Sequence, residues 1–176
     1  KMKKILLSAV AVMAFGVAAQ AQSEEMKFGV KAGANFSNFT GDFDADGATS
    51  FYVGGLVDLP VSGNFHVQPE VLYSMEGADK ASLSYVRVPI MAKYYVMEGL
   101  SLQAGPEVAF KVAAEDDAMD EMTKSIDFGI GAGAAYELPM GLMFDVRYNL
   151  GMSNISDVDG VDMKNTGIQL GLGYRF

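Results

Sequence analysis

Hydrophobic and polar residues alternate with a period of two along most of this chain, and the alternation breaks only at short clusters rich in Gly, Pro, Ser and Asp. That is the period of a β-strand, whose successive side chains point to opposite faces. In the stretch from Thr166 to Phe176, Ile168, Leu170, Leu172, Tyr174 and Phe176 share one face, and Gly167, Gln169, Gly171, Gly173 and Arg175 the other. The same pattern predicts seven earlier strands, over Lys27–Phe39, Phe51–Leu59, Phe65–Glu76, Leu83–Val96, Ser101–Val112, Ile126–Leu138 and Leu142–Leu150. Phe51, Val53, Val57 and Leu59, for example, are expected on one apolar face.

Tight turns at 60–64, 97–100 and 139–141 interleave with connections at 40–50, 77–82, 113–125 and 151–165, three of which exceed ten residues. A tilted strand needs roughly 9–11 residues to cross a bilayer, and outer-membrane barrels carry short periplasmic turns and longer outer loops. The predicted fold is therefore all-β, an eight-stranded antiparallel up-and-down transmembrane β-barrel. Phe176 returns to the side on which the first strand begins.

The leading residues change the domain boundaries. Lys1, Lys3 and Lys4 precede an apolar run from Ile5 to Ala19, and Ala19-Gln20-Ala21 is a small-x-small cleavage site. The run is shorter than the roughly 20 residues of a spanning helix. Residues 1–21 read as a cleaved signal peptide, leaving residues 22–176 as one barrel domain.

The formal charge is −9, or −12 once the three leader lysines are removed. An acidic exported chain is a poor nucleic-acid binder. With no cysteine, disulfides, thiolate catalysis and most structural zinc sites are excluded. No cofactor is expected. Many of the twenty glycines fall inside the strands, where they would weaken a soluble sheet but would leave room in a narrow barrel for large inward side chains.

Counting residues from the periplasmic turns puts Lys31, Glu70, Lys93, Glu107, Asp145 and Arg147 near one depth, all on the face away from lipid. A Lys or Arg facing lipid at the midplane costs about 2–4 kcal/mol, so six misplaced charges would cost on the order of 10 kcal/mol. That penalty fixes which face is inside. Charges confined at one level must pair, so these three cations and three anions are predicted to form a neutral network plugging the lumen. Read as paired-carboxylate chemistry, Glu70 and Glu107 would be acid and base, but a narrow lumen perturbs carboxylates without any substrate.

His66 is the one histidine. It could suggest a lipid hydrolase or acyltransferase, but no Ser and carboxylate partners are evident, so it reads as a polar residue at the lumen mouth. Asp42, Asp44 and Asp46, followed by Gly47, have the spacing that opens a calcium loop, yet Val53 stands where the bidentate Glu belongs. They are weak metal candidates in an acidic outer rim. Pro69, Pro89 and Pro106 lie inside predicted strands of a sheet without edges, where local bulges are the expected accommodation. Phe and Tyr supply two aromatic girdles in the absence of Trp.

The segments KFGVKAGANFSNF (Lys27 to Phe39), FHVQPEVLYSMEGA (Phe65 to Ala78), LSYVRVPIMAKYY (Leu83 to Tyr95), LQAGPEVAF (Leu102 to Phe110) and the closing GLGYRF together resemble the small outer-membrane β-barrel proteins common in the Bacteroidetes, often called PorT-like, of the OmpA/OmpX-type eight-stranded architecture. The resemblance implies insertion by the barrel assembly machinery, with Tyr174 and Phe176 as the assembly signal. It also implies residence in the outer membrane. The expectation is a monomeric, non-enzymatic barrel with a structural or surface-interaction role, in contact with lipid and lipopolysaccharide, without a nucleic-acid partner and with its protein partner unknown. The alternative is a small pore or an accessory of transport or secretion.

Overall fold

The structure, a computed structural model, describes residues 26–41, 48–78, 81–114, 125–153, 159–160 and 163–176. Eight strands follow in chain order: β1 (Lys27–Gly41), β2 (Ala48–Ser62), β3 (Phe65–Ala78), β4 (Ala81–Met97), β5 (Leu100–Ala114), β6 (Ile126–Glu137), β7 (Leu142–Gly151) and β8 (Met163–Arg175). Each pairs antiparallel with the next, and β8 returns to β1, with Tyr174 opposite Val30 and Ile168 opposite Phe36. Closure leaves no strand edge. The leader at 1–21 and the aspartates Asp42, Asp44 and Asp46 lie outside the described residues.

The two faces are the inverse of a soluble barrel's. Side chains such as Phe28, Val30, Phe128, Ile130, Tyr148 and Leu172 are about half exposed, whereas Lys31, Glu70, Lys93, Glu107 and Arg147 are buried inside. Leu59 departs from the expected apolar face: it is buried, next to an irregular pairing between Pro60 and Ser62.

Most strands run beyond their predicted ends. β2 extends to Ser62, so the turn before β3 shrinks to Gly63–Asn64, and β3 and β4 approach to a connection of residues 79–80. Backbone pairing continues past the point where lipid imposes an apolar face, so the added residues carry no periodic signal. Gly63, Gly99 and Gly141 at the three short turns have φ of 51°, 82° and 98°, a left-handed conformation that glycine adopts without steric penalty.

The prolines are accommodated without the expected bulges. Pairing of β2 with β3 passes from Leu56–Glu70 to Leu59–Val67 around Pro69. β3 with β4 passes from Pro69–Ile90 to Leu72–Arg87 around Pro89, and β4 with β5 from Pro89–Glu107 to Ala92–Ala104 around Pro106. In each case the ladder resumes in unchanged register. A proline lacks the N–H that a ladder needs but not the extended backbone, so the chain skips partners without inserting a residue.

Candidate functional site in the barrel lumen

Inward positions on alternate strands meet at one level, a consequence of strand tilt that staggers neighbours and brings every second strand into line. The charged side chains in the middle of the lumen come from the odd strands. Arg147 on β7 donates from Nη1 to Glu70 Oε2 (2.9 Å) and from Nη2 to Glu70 Oε1 (2.8 Å). β3 and β7 are four strands apart in an eight-stranded ring, so this two-pronged pair spans the lumen. Paired prongs of this kind are stronger and more directional than single charge contacts.

The rest of the layer completes the polar valences. Arg147 Nη2 also donates to Gln103 Oε1 on β5 (3.0 Å), and Gln68 Nε2 donates to Glu70 Oε1 (2.7 Å). Lys31 on β1 donates to Asp145 Oδ2 (2.9 Å) and lies 3.6 Å from Glu70 Oε2. Its ammonium sits 5.5 Å from the Tyr52 ring centre, while the Tyr52 hydroxyl reaches Asp145 Oδ1 at 3.4 Å.

Glycine makes the space. A Cβ at Gly171 would lie 2.0 Å from Asp145 Oδ1 and 2.1 Å from the Tyr52 hydroxyl. One at Gly131 would lie 3.2 Å from Arg147 Cδ.

Toward the short-turn end, the even strands build a second layer as a ring of alternating charge. Asp58 (β2) lies 3.6 Å from Lys93 (β4); Lys93 donates to Glu137 (β6). Glu137 Oε2 meets Arg175 (β8) at 2.7 Å, and Arg175 Nη1 donates back to Asp58 Oδ2 at 2.5 Å. The Tyr95 hydroxyl donates to Glu137 (2.9 Å) and accepts from Arg175 (3.1 Å). Beyond this ring the barrel opens into a vestibule of about 820 Å³. A further pair, Arg87 with Glu107, links β4 and β5.

Of the six residues expected at one depth, Lys31, Glu70, Asp145 and Arg147 come together. Lys93 belongs to the ring and Glu107 pairs with Arg87. Arg87, Asp58, Glu137 and Arg175 were not among the expected lumen charges, although all four have inward parity. The pairs described hold five cations (Lys31, Arg87, Lys93, Arg147, Arg175) and five anions (Asp58, Glu70, Glu107, Glu137, Asp145).

His66 does have a carboxylate neighbour, contrary to expectation: Nδ1 lies 2.5 Å from Asp58 Oδ1. Asp58 is the same group that binds Arg175, and the His66 ring meets Tyr95 edge-on at 4.8 Å, so the histidine buttresses the charge ring. Among the described residues, no group of three His, Cys, Asp or Glu side chains could hold a metal. Tyr174 and Phe176 face outward and stack at 6.3 Å, and the Phe176 amide donates to Phe28 O.

A family model described as outer membrane protein beta-barrel domain matches residues 7–176. Among solved structures, the chain is similar to Ail, the attachment invasion locus protein of Yersinia pestis, at 18% identity and a TM-score of 0.57, covering 87% of this chain and 100% of that one. Neisserial surface protein A is similar at 12% identity and the same TM-score of 0.57, again over 87% of this chain and 100% of that one. OprG from Pseudomonas aeruginosa matches at 14% identity and a TM-score of 0.50, over 85% and 95%. At such identities the likeness is one of fold. No curated protein matches the chain.

Proposed function

This chain belongs to the outer membrane protein beta-barrel domain family and resides in the cell outer membrane, and from that premise we propose a non-enzymatic, monomeric barrel whose lumen is shut by charge pairs and which acts through its surfaces. The observation that carries this reading is the pair of Arg147 with Glu70, fully buried and bridging opposite walls of the barrel. The mutual pairing of the lumen cations and anions supports it too, because a lumen built to pass ions gains from a surplus of one sign.

The surfaces on offer are the lipid belt and the acidic outer loops, which include Asp42, Asp44, Asp46, Glu115 and Asp116. Their partner by charge is lipopolysaccharide phosphate bridged by divalent cations. Export by the leader at 1–21 and delivery to the assembly machinery through Tyr174 and Phe176 belong to the same proposal, as does kinship with PorT-like barrels. The second reading, a small pore or secretion accessory, draws on the vestibule of about 820 Å³ at the short-turn end.

Solute uptake separates the two. Liposomes holding the refolded chain should swell in arabinose no faster than empty ones. Swelling well above that background would replace the shut barrel by the pore.

A further inference from the structure

Above the middle layer, on the long-loop side, the lumen wall holds three amide side chains in adjoining ladder positions. Asn35 on β1 stands opposite Gln169 on β8. Gln169 stands opposite Arg147 on β7, and Asn149 follows two residues beyond Arg147. All three amides are at least nine-tenths buried, and Asn35 Oδ1, Asn149 Oδ1 and Gln169 Oε1 have no hydrogen-bond partner among the described residues. Together with Ser37, Arg87 and Thr166 they line a cavity of about 10 Å³.

The orientation of Asn35 is fixed by its other end. Its Nδ2 donates to Ser74 Oγ (2.8 Å), Met75 O (2.8 Å) and Phe51 O (3.3 Å), so turning the amide over would set its oxygen against two backbone carbonyl oxygens that can only accept. Oδ1 is the atom left for the cavity. A buried amide oxygen without a donor carries an uncompensated desolvation penalty, and oxygens that face one cavity can share a donor between them.

We propose that this cavity is a built hydration site, in which an ordered water donates to two of these amide oxygens. The size decides the ligand, since a single buried water needs roughly 10–15 Å³ of such space and two or more polar partners. A bare monovalent cation would meet three neutral oxygens beside the Arg87 guanidinium, which repels it. The inference does not depend on whether the barrel conducts.

The test is water-to-amide nuclear Overhauser transfer on the refolded chain in detergent micelles, read at the Asn35 side-chain amide protons. The expected result is a cross-peak from a long-lived water that is unchanged when sodium chloride is exchanged for choline chloride, and lost in Gln169→Leu and Asn149→Leu. No long-lived water at Asn35 in the parent chain would overturn the proposal. So would an amide shift that follows sodium concentration, which would assign a cation, or a cross-peak that survives both substitutions.

Discussion

Changing Glu70 and Arg147, singly and together, tests whether they act as one unit across the lumen. In Glu70→Met, Arg147 keeps its charge at full burial, loses both prongs of its 2.8 and 2.9 Å contacts and keeps Gln103 as its hydrogen-bond partner among the described residues. Breaking a buried pair by removing one partner costs about 3–5 kcal/mol. Arg147→Met strands Glu70 in the same way, with Lys31 at 3.6 Å as its remaining cation, so a loss toward the lower end of about 3–5 kcal/mol is expected. The double variant differs in kind. Its remaining Lys31 and Asp145 still form a neutral 2.9 Å pair, methionine fills comparable volume, and the main debt is the polar ends of Gln68 and Gln103, about 1–3 kcal/mol. The two changes should therefore fail to add by at least about 2 kcal/mol. Urea unfolding of the refolded chains in micelles, followed by circular dichroism, gives the three values. Additivity within about 0.5 kcal/mol would refute the coupling.

Other outcomes follow from the same geometry. Gly171→Ala places a methyl 2.0 Å from Asp145 Oδ1 and should lower stability by about 1–3 kcal/mol through overpacking; an unchanged urea midpoint would contradict the tight middle layer. Ile130→Arg, on the lipid face, should cost about 2–4 kcal/mol if that residue lies near the midplane, seen as a lower folded yield into vesicles, and a neutral outcome would place it outside the bilayer. Pro106→Val returns an N–H to a ladder whose register is already continuous, so stability should rise by about 0.5–1.5 kcal/mol with inter-strand amide contacts unshifted; a one-residue shift in those contacts would show that the proline holds a bulge.

The strand count, the identity of the two faces and the antiparallel up-and-down order were legible because lipid enforces a period of two on every strand it touches. Strand ends such as Ala48–Ser50 and Pro60–Ser62 were not, because pairing outside the bilayer demands no apolar face. Charge placement was half legible. Parity alone sends Lys93 and Lys31 inside, but which layer each joins depends on the stagger between strands, a property of the closed barrel that residue counts from turns do not contain. Lys93 and Asp58 thus fall in the even-strand ring, while Lys31 and Glu70 fall in the odd-strand layer. Glu137 and Arg175 were overlooked because each lies at a strand end, where an exposed charge is the ordinary expectation. The ring instead folds them inward onto Lys93 and Asp58.

The central claim, that paired charges shut the lumen, is tested most directly by single-channel recording in planar bilayers of the refolded chain beside Glu70→Ala and Arg147→Ala. The account predicts a silent parent and discrete openings or leak in variants that still fold. A reproducible open channel in the parent would contradict it and make the same charges the lining of a pore.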